Sequence, residues 1–314
     1  MTLFAMLFPG QGSEYIGMLS SFSYNNYIIK HTFNEASDYI KFNLLKLVKE
    51  GPKEKLNQNQ YKQSAILTTS VAIYRLWRNK YGKIPSLISG HSLGEYSALV
   101  CAKSIKFSDA LKLVFLRGIL MEKTSINRPV LMKAIIGLDQ KKVEKACSIA
   151  SKNGIVSIAS INSLNQIVIS GDAKAVCEAS LYCKNIGAKN ILRLNINVPA
   201  HCKIMKPVSK RLKKMLDRIP IYSPIIPIIN NVDVKIEYSE KNIKTALIRQ
   251  IYHSVKWNNI INLIQLKKIF IMLEVGPNKI LTNLNKKNKN IISLHTDRLN
   301  NFLQAFNYIN NQNE

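Results

Sequence analysis

The segment Leu87-Ile88-Ser89-Gly90-His91-Ser92-Leu93-Gly94-Glu95-Tyr96-Ser97-Ala98-Leu99 restricts what this chain can fold into more than any other. An apolar lead-in runs into Gly90-His91-Ser92-Leu93-Gly94, a G-x-S-x-G arrangement, and a helical pattern follows at once. A serine in that setting sits on a tight strand-to-helix turn with its hydroxyl held out from the sheet edge. The flanking glycines are needed because a side chain there collides with the turn or blocks approach to the hydroxyl. Free N–H groups of the first helical turn lie beside it and can steady a developing oxyanion. A chance glycine-rich turn opening a helix is the bland alternative. Strand, turn and helix fall in the order the chemistry needs, which favours an enzyme.

The chain around this element alternates. Leu3 to Phe8 reads as a buried strand ended by Pro9-Gly10-Gln11-Gly12-Ser13. Helices are expected over 23–40 and 63–81, a strand over 83–89, and the helix of the elbow over 94–101. Ser108 is expected to cap a further helix with Ala110, Leu111, Val114, Phe115 and Leu120 on its apolar side and Arg117 within it. Strand, helix, strand, elbow and helix make an open, mainly parallel α/β sheet.

From about 130 the pattern changes. Strands are expected over 131–136, 156–161, 166–170 and 190–196, and helices over 139–152 and 172–185. That β-α-β-β-α-β order is the ferredoxin-like pattern. It predicts a small subdomain, 128–198, inserted in a core made of 1–127 and 199–314. Beyond it come a Lys-rich helix from Pro207 to Leu216, an edge strand limited to 225–229 by three prolines, and helix over 239–263. A strand over 268–275 ends in Gly276-Pro277-Asn278. A last helix, capped at Thr296 with Leu299, Phe302, Leu303 and Phe306 inward, runs to an Asn-rich end expected to fray.

Charge raises a competing class. Lys and Arg number 45 against 19 Asp and Glu, a net +26, and such a field attracts phosphates. The basic residues are spread along the chain, mostly as Lys, amid abundant Asn and Ile, and no nucleic-acid motif accompanies them. A dedicated nucleic-acid groove is therefore not expected; an acidic protein partner or a phosphate-bearing substrate is. No twenty-residue apolar span occurs, and Met1 to Phe8 enters a Pro-Gly turn without a basic n-region, so neither membrane nor export is expected. Cys101, Cys147, Cys177, Cys183 and Cys202 are odd in number and lack C-x-x-C spacing, which predicts free thiols in the cytoplasm.

A serine nucleophile needs a base. Of His31, His91, His201, His253 and His295, His91 adjoins Ser92 and points away from it on a tight turn. His201 follows a Pro-containing loop at the mouth of the core, from where it can reach Ser92; a surface or hydrogen-bonded loop role is its plain alternative. His253 and His295 stay open on spacing. Arg117, on the apolar side of its helix, must be paired, either with an internal carboxylate or with an anionic ligand that a planar guanidinium suits. Gly10-Gln11-Gly12 is too short for a phosphate loop and instead can place a backbone N–H beside the elbow. There is no H-E-x-x-H or comparable metal cluster.

With these residues set together, the chain resembles the malonyl-CoA:acyl carrier protein transacylases of bacterial type II fatty acid synthesis. The resemblance rests on Phe8-Pro9-Gly10-Gln11-Gly12-Ser13, Gly90 to Leu99, Arg117-Gly118 with Met121, and Ala134 to Leu138. Further blocks are Val168-Ile169-Ser170-Gly171, Val198-Pro199 with His201 and Met205, Asn230-Asn231-Val232, Gln250 ahead of Trp257, and Glu274-Val275-Gly276-Pro277. It implies a hydrolase-like α/β core with the ferredoxin-like insert and the active site in the cleft between them. It also implies Ser92 as acylated nucleophile, His201 as base, and Gln11 and Leu93 as backbone donors to the oxyanion. Arg117 would take the malonyl carboxylate. Gln250 would help hold the site, its carbonyl orienting His201, and Asn162 would stand near the pocket. The implied substrates are malonyl-CoA and the phosphopantetheine thiol of acyl carrier protein, with no resident cofactor or metal, in a monomer. A serine thioesterase or esterase on the same elbow is the rival, separated by whether water or the thiol accepts the acyl group.

Four departures from the family pattern carry expectations. Glu14 and Glu122 stand for common Gln residues, and an extra carboxylate near Arg117 would compete with malonate. Ser254 for Pro should loosen its loop. Asn278 for Gly suggests a turn still at positive φ.

Overall fold

A computed structural model describes residues 2–286 and 288–311. Nine strands occur in chain order: β1 Phe4–Phe8, β2 Leu87–Gly90, β3 Val130–Ile136, β4 Val156–Ser163, β5 Gln166–Asp172, β6 Asn190–Arg193, β7 Ile228–Ile229, β8 Ile271–Glu274 and β9 Ile292–His295. They form two sheets. The larger, ordered β7-β2-β1-β8-β9, is parallel throughout, with Phe8 opposite Gly90. The smaller, ordered β4-β5-β3-β6, is antiparallel and interleaves with the helices Gln140–Ala150 and Ala173–Asn185, the strand order of the ferredoxin-like pattern.

β1 shows why the larger sheet is sandwiched. Every residue of Phe4 to Phe8 is buried. Phe4, Met6 and Phe8 face one core, with the helices Tyr27–Ile40, Asn59–Asn79 and Phe107–Lys123, while Ala5 and Leu7 face another built on Trp257, Ile260 and Ile264. A parallel strand covered on both faces reads as an unbroken apolar run, as this one does. The smaller sheet has its own core around Ile135, Val143, Ile158, Ile169 and Val176. Loops 9–13 and 91–93 therefore leave the larger sheet side by side at its carboxyl edge, where ligands of open α/β sheets bind.

Several local expectations are corrected. The helix carrying Arg117 starts at Phe107 with Lys106 at its N-cap and no side-chain cap, so Ser108 does not cap it. Thr296 does not cap the last helix, which spans Leu299–Asn310 behind Arg298. The Thr296 hydroxyl donates instead to the Glu274 carbonyl. The inner face of that helix is Phe302, Ala305 and Ile309, with Leu303 exposed. The helix expected over 239–263 is two, Glu240–Gln250 and Trp257–Leu266. Strand β9 was not expected at all. The frayed Asn-rich end beyond 311 lies outside the described residues.

One departure behaves differently from expectation: Asn278 is not among the residues with positive φ. Ser254 has partners of its own: its hydroxyl donates to the Ile158 carbonyl, and Val255 bridges β4 in parallel at Ser160. Among the described residues no helix is long and apolar enough to cross a membrane.

Candidate active site

The elbow is held by close backbone approach. A Cβ added to Gly94 would lie 2.0 Å from the Phe8 carbonyl oxygen, and one on Gly90 would lie 1.9 Å from the Gly94 carbonyl carbon. Only glycine lets the helix start this close to the two strands. Ser92 itself takes φ 52°, left-handed for a residue with a side chain. That conformation costs on the order of 1–3 kcal/mol and persists only where the surroundings hold it.

The surroundings do. Asn231 Oδ1 accepts the Ser92 N–H at 2.6 Å, and Asn231 Nδ2 donates to the Gly90 carbonyl at 2.7 Å. The Gly94 and Glu95 N–H groups are spent on the carbonyls of His91 and Ser92. Among the described residues the Leu93 N–H meets no protein acceptor, nor does that of Gln11 in the facing loop. The Gln11 loop is anchored by its side chain, which donates to Asn59 Oδ1 at 2.8 Å, and by Ser13 Oγ, which donates to the Gly10 carbonyl.

His201 arrives from the chain following β6. It too has a left-handed backbone, φ 61°, and its ring is buried. Ser92 Oγ and His201 Nε2 are 2.7 Å apart, and His201 Nδ1 is 2.7 Å from the Gln250 carbonyl oxygen. A carbonyl cannot donate, so Nδ1 carries the proton and Nε2 presents its lone pair to Ser92. Burial and the nearby Arg117 charge push the His201 pKa down to about 3, which keeps the ring neutral and able to accept a proton at pH 7.

Arg117 is fully buried directly beside this pair. Its Nη1 donates to Gln63 Oε1 at 2.7 Å, its Nη2 lies 3.3 Å from Ser92 Oγ, and its Nε has no partner. Among the described residues no carboxylate forms an ion pair with it. The expected competition from Glu14 and Glu122 does not occur. Glu14 pairs with Lys62 and accepts the Gly12 N–H, and Glu122 accepts the Asn59 N–H. An internal salt bridge is thus not what holds this cation. A guanidinium sealed from water with no carboxylate in contact, and only the charge of Glu95 acting from further off, is costly unless an anion arrives.

Ser92, His201, Gln11 and Asn162 share a cleft of about 490 Å³ between the two sheets. Asn162 Oδ1 is taken by His91 Nε2 at 3.0 Å, and the His91 ring leans on Trp257. His91 is therefore turned away from Ser92. Gln250, grouped by the sequence with the substrate-binding residues, does not line this cleft. It is wholly buried behind the pair, its side-chain amide donating to the Ser92 carbonyl at 3.0 Å and to Glu95 Oε2 at 2.8 Å. Glu95 also accepts the Asn231 N–H at 3.1 Å, and burial lifts its pKa to about 7.

Three residues escaped the sequence reading as parts of the site: Gln63, Asn231 and Glu95. Gln63 lies on an apolar helical pattern in which a lone amide gives no signal. Asn231 and Glu95 sit inside blocks that were legible, but their partners are far away in sequence.

Comparison with known proteins agrees with this geometry. Residues 5–291 match the acyl transferase domain family. A malonyl CoA-acyl carrier protein transacylase of Buchnera aphidicola subsp. Schizaphis graminum is 59% identical over 307 residues, 98% of this chain and 99% of the relative. The protein of that name from Escherichia coli strain K12 is 44% identical over 91% of this chain and 93% of its own. Among solved structures, a malonyl-transacylase in complex with its type II PKS acyl-carrier protein superposes with a TM-score of 0.95 at 43% identity, covering 98% of this chain and 100% of that one. An acyl carrier protein S-malonyltransferase from Vibrio cholerae does so at 0.93 and 42%, covering 97% and 99%.

Proposed function

The chain belongs to the acyl transferase family, among the malonyl CoA-acyl carrier protein transacylases, and from that premise we propose how its own residues move a malonyl group. It transfers malonyl from malonyl-CoA to acyl carrier protein, supplying the extender unit for fatty acid synthesis. The observation that carries the assignment of roles is the short relay from Ser92 Oγ through His201 to the Gln250 carbonyl, set against a buried Arg117 with no carboxylate in contact.

His201 Nε2 takes the Ser92 proton as Oγ attacks the thioester carbonyl. The tetrahedral oxyanion settles on the N–H groups of Leu93 and Gln11, neither of which donates to a protein acceptor. The C–S bond breaks, the CoA sulfur takes the proton back from His201, and malonyl-Ser92 remains. The phosphopantetheine thiol then gives its proton to the same histidine, its sulfur attacks the ester, and Ser92 recovers its proton. No carboxylate completes the triad, because the Gln250 carbonyl already fixes the tautomer.

Arg117 gives the carboxylated acyl group its reason. Its Nη2 lies 3.3 Å from Oγ, so a malonyl carboxylate, whose carbon is three bonds from Oγ, can fold back onto the guanidinium. Asn162 acts at one remove, by holding His91 in the cleft wall. The division of labour we read is a catalytic core of 1–127 and 199–314 with 128–198 as the opposite wall of the cleft. Monomeric function in the cytoplasm, without a resident cofactor or metal, belongs to the same proposal, and the five unpaired cysteines support the compartment.

The test is trapping. Incubation with malonyl-CoA should add one malonyl mass to the intact protein, and Ser92→Ala should abolish the adduct. A full-strength adduct on Ser92→Ala removes Ser92 from the mechanism.

A further inference from the structure

The buried carboxyl group of Glu95 has no part in the acyl transfer just described, yet it joins both halves of the machinery. Glu95 lies in the first turn of the elbow helix, Gly94–Cys101, and is almost completely sealed from solvent. Oε2 alone accepts from two segments far away in sequence. One is the Asn231 backbone N–H at 3.1 Å, 136 residues on, and the other is the Gln250 side-chain amide at 2.8 Å, 155 residues on. Each of these holds one member of the reacting pair by hydrogen bonds. Asn231 accepts the Ser92 N–H and donates to the Gly90 carbonyl, bracketing the strained elbow. Gln250 presents the carbonyl that fixes His201 Nδ1, and its amide also ties to the Ser92 carbonyl.

Resting on the assignment of Ser92 and His201 above, we propose that Glu95 is a positioning residue, whose Oε2 grips Asn231 and Gln250 together and so sets Ser92 Oγ against His201 Nε2. What the site requires of it is reach, an acceptor oxygen at the right place, rather than charge. Both Ser92 and His201 have left-handed backbones, which a segment does not keep unless something outside it holds it there. The two segments meet at this one oxygen. A simpler role, a negative charge set at a helix N-terminus, would explain its location but not its two distant donors.

Reach and charge separate by substitution. Glu95→Gln keeps an amide oxygen at the same distance and drops the charge. Glu95→Asp keeps the charge and draws the oxygens back by one methylene. Single-turnover malonylation of Ser92, quenched and read by intact mass across malonyl-CoA concentrations, gives a maximal loading rate and a half-saturating concentration. Glu95→Gln should slow loading about threefold or less, whereas Glu95→Asp should lower the maximal rate about 100-fold, the scale of a ~1 Å misplacement. The half-saturating concentration should change by less than about threefold in Glu95→Asp, which keeps the negative charge that acts on Arg117. Melting temperatures accompany each variant.

A wild-type rate for Glu95→Asp overturns the proposal, and so does a Glu95→Gln as slow as Glu95→Asp, which would make charge the requirement. If Glu95→Asp does not fold, Gln250→Met carries the test. It keeps the backbone carbonyl, removes the amide that Glu95 grips together with its tie to the Ser92 carbonyl, and must show the same fall in maximal rate at a near-constant half-saturating concentration. A full-rate Gln250→Met overturns the proposal equally. Wild-type protein that never loads malonyl would instead sink the functional reading beneath it.

Discussion

Replacing Arg117 by Met separates substrate recognition from architecture, because Met fills similar volume without charge. Two opposing changes follow in the resting protein. Gln63 Oε1 loses its 2.7 Å donor, about 1–3 kcal/mol for a buried acceptor left unpaired. Against that, a fully buried guanidinium with no carboxylate partner no longer has to be kept from water. The two nearly cancel, and the melting temperature should move by only a few degrees, ~2–4 °C per kcal/mol for a chain of this order. Transfer is another matter. Losing one partner of a buried, hydrogen-bonded charge pair costs about 2–5 kcal/mol, which is roughly 30- to 4,000-fold at about 1.4 kcal/mol per tenfold. The malonyl carboxylate should show that loss in kcat/KM, while acetyl-CoA, with no carboxylate to place, should lose less than about fivefold or gain. Rapid-quench loading of Ser92 from the two donors, read by intact mass, measures both. Arg117 Nη2 also approaches Ser92 Oγ. Equal losses with the two donors would therefore mean that the guanidinium serves the nucleophile and not the malonyl carboxylate, and the reasoning would fail.

The remaining expectations concern the elbow, the base and the surface. Gly94→Ala puts a Cβ 2.0 Å from the Phe8 carbonyl oxygen, so backbone must shift; loading should fall by about 100-fold or more, and a crystal structure with an undisturbed elbow would refute this. Because His201 is held at about 3, below its ordinary value, Nε2 stays unprotonated as the pH falls through 6.5. The loading rate should then vary by less than about threefold between pH 7 and pH 5, whereas an acid limb centred near 6.5 would count against a buried, depressed base. Finally, the net charge of +26 should hasten encounter with an acidic carrier protein. Raising ionic strength from about 0.05 to 0.5 M should slow malonyl transfer to the carrier much more than loading from saturating malonyl-CoA, and transfer indifferent to salt would remove that role.

Which parts of this protein were legible in its amino acids follows the range of the forces involved. Alternation of strand and helix, the βαββαβ order of the insert and the glycine-bounded elbow are properties of neighbours in the chain, so period and spacing announce them. The apolar run of Phe4 to Phe8 already implies a strand covered on both faces. Ser92, His201 and Arg117 stand out because a serine between flanking glycines, one of five histidines and a cation on an apolar helix face are telling placements. Short, low-signal elements were another matter: β9 covers four residues, none of them fully buried, and no periodicity distinguishes it from loop. Ser254 shows the same limit, since the loss of a proline says nothing of the Ile158 carbonyl that its hydroxyl finds.

The partners of the polar groups were decided only in three dimensions. Glu14 and Glu122 are as close to Arg117 as any carboxylates by motif, yet they end on Lys62, Gly12 and Asn59, leaving Arg117 with Gln63 and Ser92. Glu95 meets Asn231 and Gln250 across 136 and 155 residues. A hydrogen bond is set by a few tenths of an ångström and an angle, and between remote residues those are fixed by how every intervening element packs. Local pattern therefore determined which chemical groups this chain would bring to its elbow. Packing alone decided that the carboxylates would be spent elsewhere, so that the serine faces a neutral histidine and an arginine still without its anion.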